Sequence, residues 1–140
     1  SASGFLLASG TLTSVQIKAL NGTPIEIISA PGSGKFIFVW TATAVMHYGG
    51  NNPFTQTGTQ NVRVYYGTST SILQLYNASA IASSNSVVST SPTPSDIEAN
   101  FSIAENIAIN IYNSSATELS GNAANDNTVA YYVVYKIMTI

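Results

Sequence analysis

The chain has 140 residues, no cysteine, and 7% charged residues, where an ordinary soluble domain carries about 25%. The missing thiols exclude disulfides, Cys-ligated zinc, iron–sulfur clusters and thiol catalysis. Its four basic residues, Lys18, Lys35, Arg63 and Lys136, are scattered, so no patch for a phosphate backbone forms and no nucleic-acid partner is expected.

This length fits one domain, residues 1–140, with one core. A domain of that size buries about 68–70% of its unfolded surface, which is enough to hold without a disulfide or metal staple. The apolar patch Phe5–Ala8 has neither the length nor the basic flank of a signal segment. The longest apolar stretch, 36–46, falls short of the roughly 18 residues of a membrane helix, so a soluble chain with no membrane partner is expected.

In chain order, Thr13-Ser14-Val15-Gln16 is a capping box that opens a short helix over about 14–20, stopped by Asn21-Gly22. Pro24–Ser29 alternates as a strand, with Ile25 and Ile27 on one face and Glu26 on the other. Ala30–Gly34 reads as a turn, and Lys35–Tyr48 as one long strand or a bent pair. Trp40 lies within Phe36-Ile37-Phe38-Val39-Trp40, which reads as core. Gly49–Pro53 breaks the strand. Val62, Val64 and Tyr66 share one face of the next, with Arg63 and Tyr65 opposite. A polar loop carries Pro92 and Pro94. After it, Asp96–Ile103 has period two, with Ile97, Ala99, Phe101 and Ile103 on one side and Asp96, Glu98, Asn100 and Ser102 on the other. Ile107, Ile109 and Ile111 repeat that pattern, and Thr128–Ile140 forms the last strand. About eight short strands between Gly, Asn, Ser and Pro turns predict an all-β chain. The expected form is an antiparallel β-sandwich of jelly-roll type with one short N-terminal helix.

The last strand is apolar on both faces: Val129, Tyr131, Val133, Tyr135 and Ile137 on one, Ala130, Tyr132, Val134 and Met138 on the other. Such a strand is buried on both sides. The second side is covered either by a neighbouring subunit, with Tyr131, Tyr132, Val134 and Met138 as candidate interface residues, or by a loop.

No chemistry-bearing constellation stands out. His47 is the sole histidine and no Gly-x-Ser-x-Gly elbow accompanies it. Asp96 and Glu98 share a strand face about 7 Å apart, a spacing open to a glycosidase pair, but their neighbours Asn100 and Ser102 mark a solvated face. Gly32-Ser33-Gly34-Lys35 lacks the glycine and hydroxyl of a phosphate loop, having Ser29 and Phe36 there. Asn125-Asp126-Asn127 lacks the spaced acids of a calcium loop and reads as a turn. Asn-x-Ser/Thr sequons at Asn21, Asn77, Asn100 and Asn113 number about what chance gives. No cofactor and no metal are expected. Tyr65, Tyr76 and Tyr112 have polar same-face neighbours, which makes them candidate exposed aromatics for sugar stacking or for a protein interface.

Leu12–Pro24 running into Ala30–Lys35, then Tyr48-Gly49-Gly50, Val62–Gly67, Ala104-Glu105-Asn106, Gly121-Asn122, Asn125–Thr128 and Tyr131–Tyr135 form an ordered set of loose motifs. Together they resemble the small β-rich structural proteins of tailed bacteriophages, whose final turn is often more basic or richer in glycine than here. The motifs are structural and transfer no site residues. The resemblance implies a non-enzymatic virion component assembled in the host cytoplasm, often a homotrimer, that contacts the major capsid protein or other virion proteins. Head decoration and tail or fibre roles both follow from it, the latter with host-surface glycans as ligands. A weakly charged polar surface, with little long-range steering, suits a fixed place in such an assembly.

Overall fold

The computed structural model describes residues 4–56, 62–91 and 99–140. The chain is built mostly of antiparallel strands: β1 (Leu6–Leu12), β2 (Ile25–Ile28), β3 (Lys35–His47), β4 (Phe54–Thr55), β5 (Val62–Tyr66), β6 (Thr70–Tyr76), β7 (Val87–Ser91), β8 (Ile109–Asn113), β9 (Ser120–Gly121) and β10 (Thr128–Thr139). Among the described residues three helical turns join them: α1 (Ser14–Ile17), α2 (Ala78–Ile81) and α3 (Phe101–Ala104). Strands order as β1-β10-β3-β7 in sheet A and β2-β8-β5-β6 in sheet B, with β4-β9 a small third pair. One hydrophobic cluster spans both large sheets, with Ile37, Val39, Ala42, Ala44 and Met46 from β3 meeting Val64, Leu73, Leu75, Ile109 and Ile111 from sheet B.

The helix start follows from its sequence. The Gln16 N–H donates to Thr13 Oγ1 at 3.2 Å, and the Thr13 N–H donates to Gln16 Oε1 at 2.9 Å, so two orphan donors are satisfied at once. The helix is shorter than the expected 14–20, passing into turns from Lys18 to Gly22, while Ile17 and Leu20 are buried.

Bulges decide which residues face the core. Val134 pairs with Thr41 and Tyr135 with Val39, leaving Trp40 as the extra residue. A bulge of this kind shifts the alternation by one: inward residues are odd up to Val39 and even from Ala42. Trp40 is therefore not core, contrary to the sequence reading, and is 47% exposed. In β6, two register shifts against β5 leave Ile72 and Leu75 unpaired, and Ile72, Leu73, Leu75 and Tyr76 are all buried.

The expected strand over Asp96–Ile103 is corrected where it can be seen. Asp96, Glu98, Pro92 and Pro94 lie outside the described residues, and Phe101–Ala104 is helical. Asn100 causes the change: its Oδ1 accepts from the Ile103 N–H at 3.1 Å and the Ser102 hydroxyl at 2.7 Å, an N-cap that competes with extended backbone. Ala99, Ile103 and Ala104 still reach the core, but through a helical turn.

An asparagine clamp closes one corner, around the segment read as a turn. Buried Asn122 donates to Asn52 O at 2.7 Å and Asp126 Oδ1 at 2.8 Å, and its own Oδ1 accepts from the Asn127 N–H at 2.9 Å. Buried Asn127 donates to Asn52 O at 2.9 Å and accepts from the Gly49 N–H at 2.7 Å. A Cβ on Gly49 would run into the Asp126 side chain, so a larger residue there would displace that carboxyl from the clamp. The Lys18 ammonium donates to Gly121 O, Asn122 O and Asn125 Oδ1 at 3.0, 3.3 and 2.7 Å. The positive charge at this turn thus belongs to the protein itself.

Two outcomes are expected. Ile111→Ala, which empties the centre of the cluster, should cost about 2–5 kcal/mol in urea unfolding. Hydrogen bonds from Asn122 and then Asn51 hold the Asp126 carboxyl below its ordinary value. Its contribution is therefore full above the unfolded value of about 3.9 and is lost as pH falls through the folded one. Asp126→Asn should be less stable than the parent at neutral pH and converge with it in strong acid, read by denaturant midpoints across pH.

Candidate interaction face

The side of sheet A that faces away from the core is where large apolar groups meet solvent. Antiparallel register fixes its rows: Leu7–Val134–Thr41, Ser9–Tyr132–Thr43–Thr90, Lys136–Phe38 and Met138–Phe36. Leu7 is 58% exposed and Tyr132 43%, with Phe38, Trp40 and Met138 also exposed. Toward Met138 the face is apolar; toward Thr43 and Thr90 it is lined with hydroxyls. Large rings carry about 150–250 Å² each, so the open fractions of these side chains sum to a patch on the order of 400 Å², a size that commonly marks binding sites.

The patch is held firm from below and beside. Trp40 packs edge-on against Phe5 with ring centroids 4.6 Å apart, and the Lys136 ammonium lies 5.7 Å from the Phe5 centroid. That contact is a cation–π geometry that keeps the single charge of these rows over a ring. A tryptophan braced in this way presents a large apolar surface at little entropic cost on binding, as interface anchors do.

Of the four interface candidates, the structure brings three together. Tyr132, Val134 and Met138 share this face, with Val134 half-buried between them. Tyr131 does not join them: it packs toward the core and crosses Gly10, where an added Cβ would come within 2.6 Å of its hydroxyl oxygen. An aromatic laid over a strand glycine fills the surface that the missing side chain leaves. Trp40, Phe38 and Leu7 are the members that sequence reasoning missed. The signal was present as period two in Phe36-Ile37-Phe38-Val39-Trp40, where one alternate set had to point outward.

The candidate exposed aromatics are corrected. Tyr65 is only 7% and Tyr76 only 6% exposed, and Tyr112 is half-buried. Tyr65 stands edge-on to Tyr112 at 5.1 Å. Tyr76 pairs with Val62, so after the β6 bulge it faces the core. Burial pushes its phenol well above the ordinary value, and its hydroxyl has no hydrogen-bond partner in the described structure.

The remaining sequence candidates find other roles. His47 is exposed at the end of β3, opposite Thr128. Asp96 and Glu98 lie outside the described residues. Gly34 N–H donates to Glu105 Oε1 at 2.7 Å, and Gly32 N–H to Asn106 Oδ1 at 2.8 Å, so the Gly32–Lys35 turn is tied by side chains. Three of the four sequon asparagines act locally, and Asn21 bonds across the sequence. Asn77 caps α2 through the Ala80 N–H at 2.8 Å, and Asn113, buried, accepts from the Ser115 N–H at 3.0 Å. Asn21 donates to Asn113 O at 2.9 Å. Among the described residues, no three His, Asp or Glu side chains converge to hold a metal ion.

No family model and no curated protein matches this chain. Among solved structures it is similar to a chain titled as the capsid asymmetric unit of cyanophage Pam1, at 15% identity and a TM-score of 0.48, covering 94% of this chain and 82% of that one.

Two of the buried tyrosines, Tyr66 and Tyr76, should separate cleanly on loss of the hydroxyl. Tyr66→Phe removes a bond of 2.6 Å to Ile37 O and should cost about 1 kcal/mol. Tyr76→Phe removes an unpaired polar atom and should leave stability unchanged or raise it by up to about 1 kcal/mol. Thermal unfolding of both variants checks the contrast.

Proposed function

We propose that this chain is a non-enzymatic structural protein of a phage virion, a capsid decoration or cement protein that binds the head as a homo-oligomer. The observation that carries the reading is the outer face of sheet A. A protein with 7% charge that nonetheless leaves Leu7, Phe38, Trp40, Tyr132 and Met138 open has a surface made for contact with protein. Desolvated aromatic anchors at the centre of such a face, ringed by Thr and Ser, are the usual source of binding energy.

Two further points support it. The ordered motifs resemble phage structural proteins. Leaving aside the two-residue β4 and β9, the eight longer strands counted from the N-terminus run 1-8-3-6 in one sheet and 2-7-4-5 in the other. In that order every connection except the 4–5 hairpin crosses between sheets. That order supports reading two nested Greek keys, the jelly roll used by viral capsid domains as well as by lectins, with the whole chain as one such domain. The glycan-binding alternative loses two of its three stacking platforms, because Tyr65 and Tyr76 are buried.

Gold-labelled antibody against the chain, viewed on whole particles by electron microscopy, should decorate the head. Label confined to the tail would overturn the decoration role. In solution, Trp40→Ser should keep the fold yet weaken binding to undecorated shells by about 2 kcal/mol, roughly 30-fold, as loss of a central anchor does.

A further inference from the structure

β1 is the outermost strand of sheet A, and among the described residues no strand pairs with its second edge. Proteins guard such edges with charge, proline, a bulge or short length. β1 has none of these: its seven residues, Leu-Leu-Ala-Ser-Gly-Thr-Leu, carry no charge and no proline and hold seven consecutive rungs against β10. The unguarded side presents a row of backbone N–H and C=O groups to which another extended strand can pair.

The strand's own sequence specifies which one. Laid antiparallel to itself about a twofold axis through Ser9, Leu6 meets Leu12, Leu7 meets Thr11, and Ala8 meets Gly10. Small residues meet beside Ser9 at the centre, and an uncharged strand creates no like-charge pair. Leu6, open to solvent in the single chain, would be covered. Antiparallel extension places the twofold perpendicular to the sheet, so both faces bearing Trp40 lie on one side of an eight-stranded sheet. Two such faces on one rigid unit engage a repeating shell together rather than separately.

We infer that a second copy of this chain docks edge to edge along β1. The contact stands on the strand itself, while its use in presenting paired faces to a shell rests on the virion reading above. An isologous contact makes a dimer, in place of the trimer that the sequence resemblance implies.

Native mass spectrometry of the full chain at micromolar concentration tests this. The wild type should be dimeric. Ser9→Lys and Ser9→Glu each set like charges opposite one another at the axis and should weaken the dimer at least about tenfold, with circular dichroism unchanged because Ser9 is exposed. Mixing the two variants should restore a dimer containing one of each. A monomeric wild type, a Lys variant that associates as the wild type does, or a mixture that stays monomeric overturns the edge contact. Gold labelling of particles is read separately: labelled heads without the dimer would leave the virion reading standing, and an intact β1 dimer with unlabelled heads would leave the edge contact standing.

Discussion

The pairing of β3 with β10 is the constraint on which the rest of the structure depends. It runs over twelve rungs, from Thr128–His47 to Thr139–Lys35, and joins segments far apart in sequence. Both strands sit inside sheet A, flanked by β1 and β7. Their inward side chains, Ile37, Val39, Ala42, Ala44, Met46, Val129 and Val133, form one wall of the core. Sheet B supplies the other, and neither could be buried alone. A long non-local ladder of this kind is costly in chain entropy before it forms, and it is repaid only when both sheets close over it.

The same ladder creates the outer face. With one side of β3 and β10 committed to the core, the alternation of the strands sends Phe38, Tyr132, Val134 and Met138 outward. Trp40 joins them as the next member of the outward set after Phe36 and Phe38, and the bulge beside it shifts the inward set from Val39 to Ala42. Bulges re-aim side chains without breaking a sheet, and here Ala42, Ala44 and Met46 face the core after it, while the one tryptophan of the chain stands where a partner can reach it. The wall of the core and the contact surface are two sides of a single pair of strands, so a change that shifts their register moves both.

Low charge is compatible with this fold because asparagine takes over work that ion pairs do elsewhere. Asn122 and Asn127 are buried and hold a corner through neutral hydrogen bonds, and Asn77 and Asn100 start helical turns by the same Asx geometry. Neutral amides escape the desolvation penalty of buried charges and can both donate and accept. Asn106, Asn122 and Asn125 also adopt positive φ, which asparagine tolerates better than most residues. The Asn-x-Ser/Thr pattern that looks like sequons is, at Asn77, Asn100 and Asn113, the signature of these local turns.

The sequence by itself determined what depends on neighbours a few residues apart. The capping box at Thr13 and Gln16, the turns at Ala30–Gly34 and Asn125–Asn127, and the antiparallel all-β character were legible because each rests on local hydrogen bonds or period-two burial, whereas the helix ends at Ile17, a turn before the expected stop at Asn21-Gly22. The opposite faces of the last strand were legible too. Tertiary structure alone decided the burial of Tyr65 and Tyr76, since bulges and cross-strand packing reverse or cover a face without leaving a mark in the pattern. It also decided that Phe101–Ala104 turns as a helix, where Asn100 outweighs an alternation that a strand would share equally well. Burial on a given side is a property of the register with a distant strand, and register is written in pairs of segments rather than in either one.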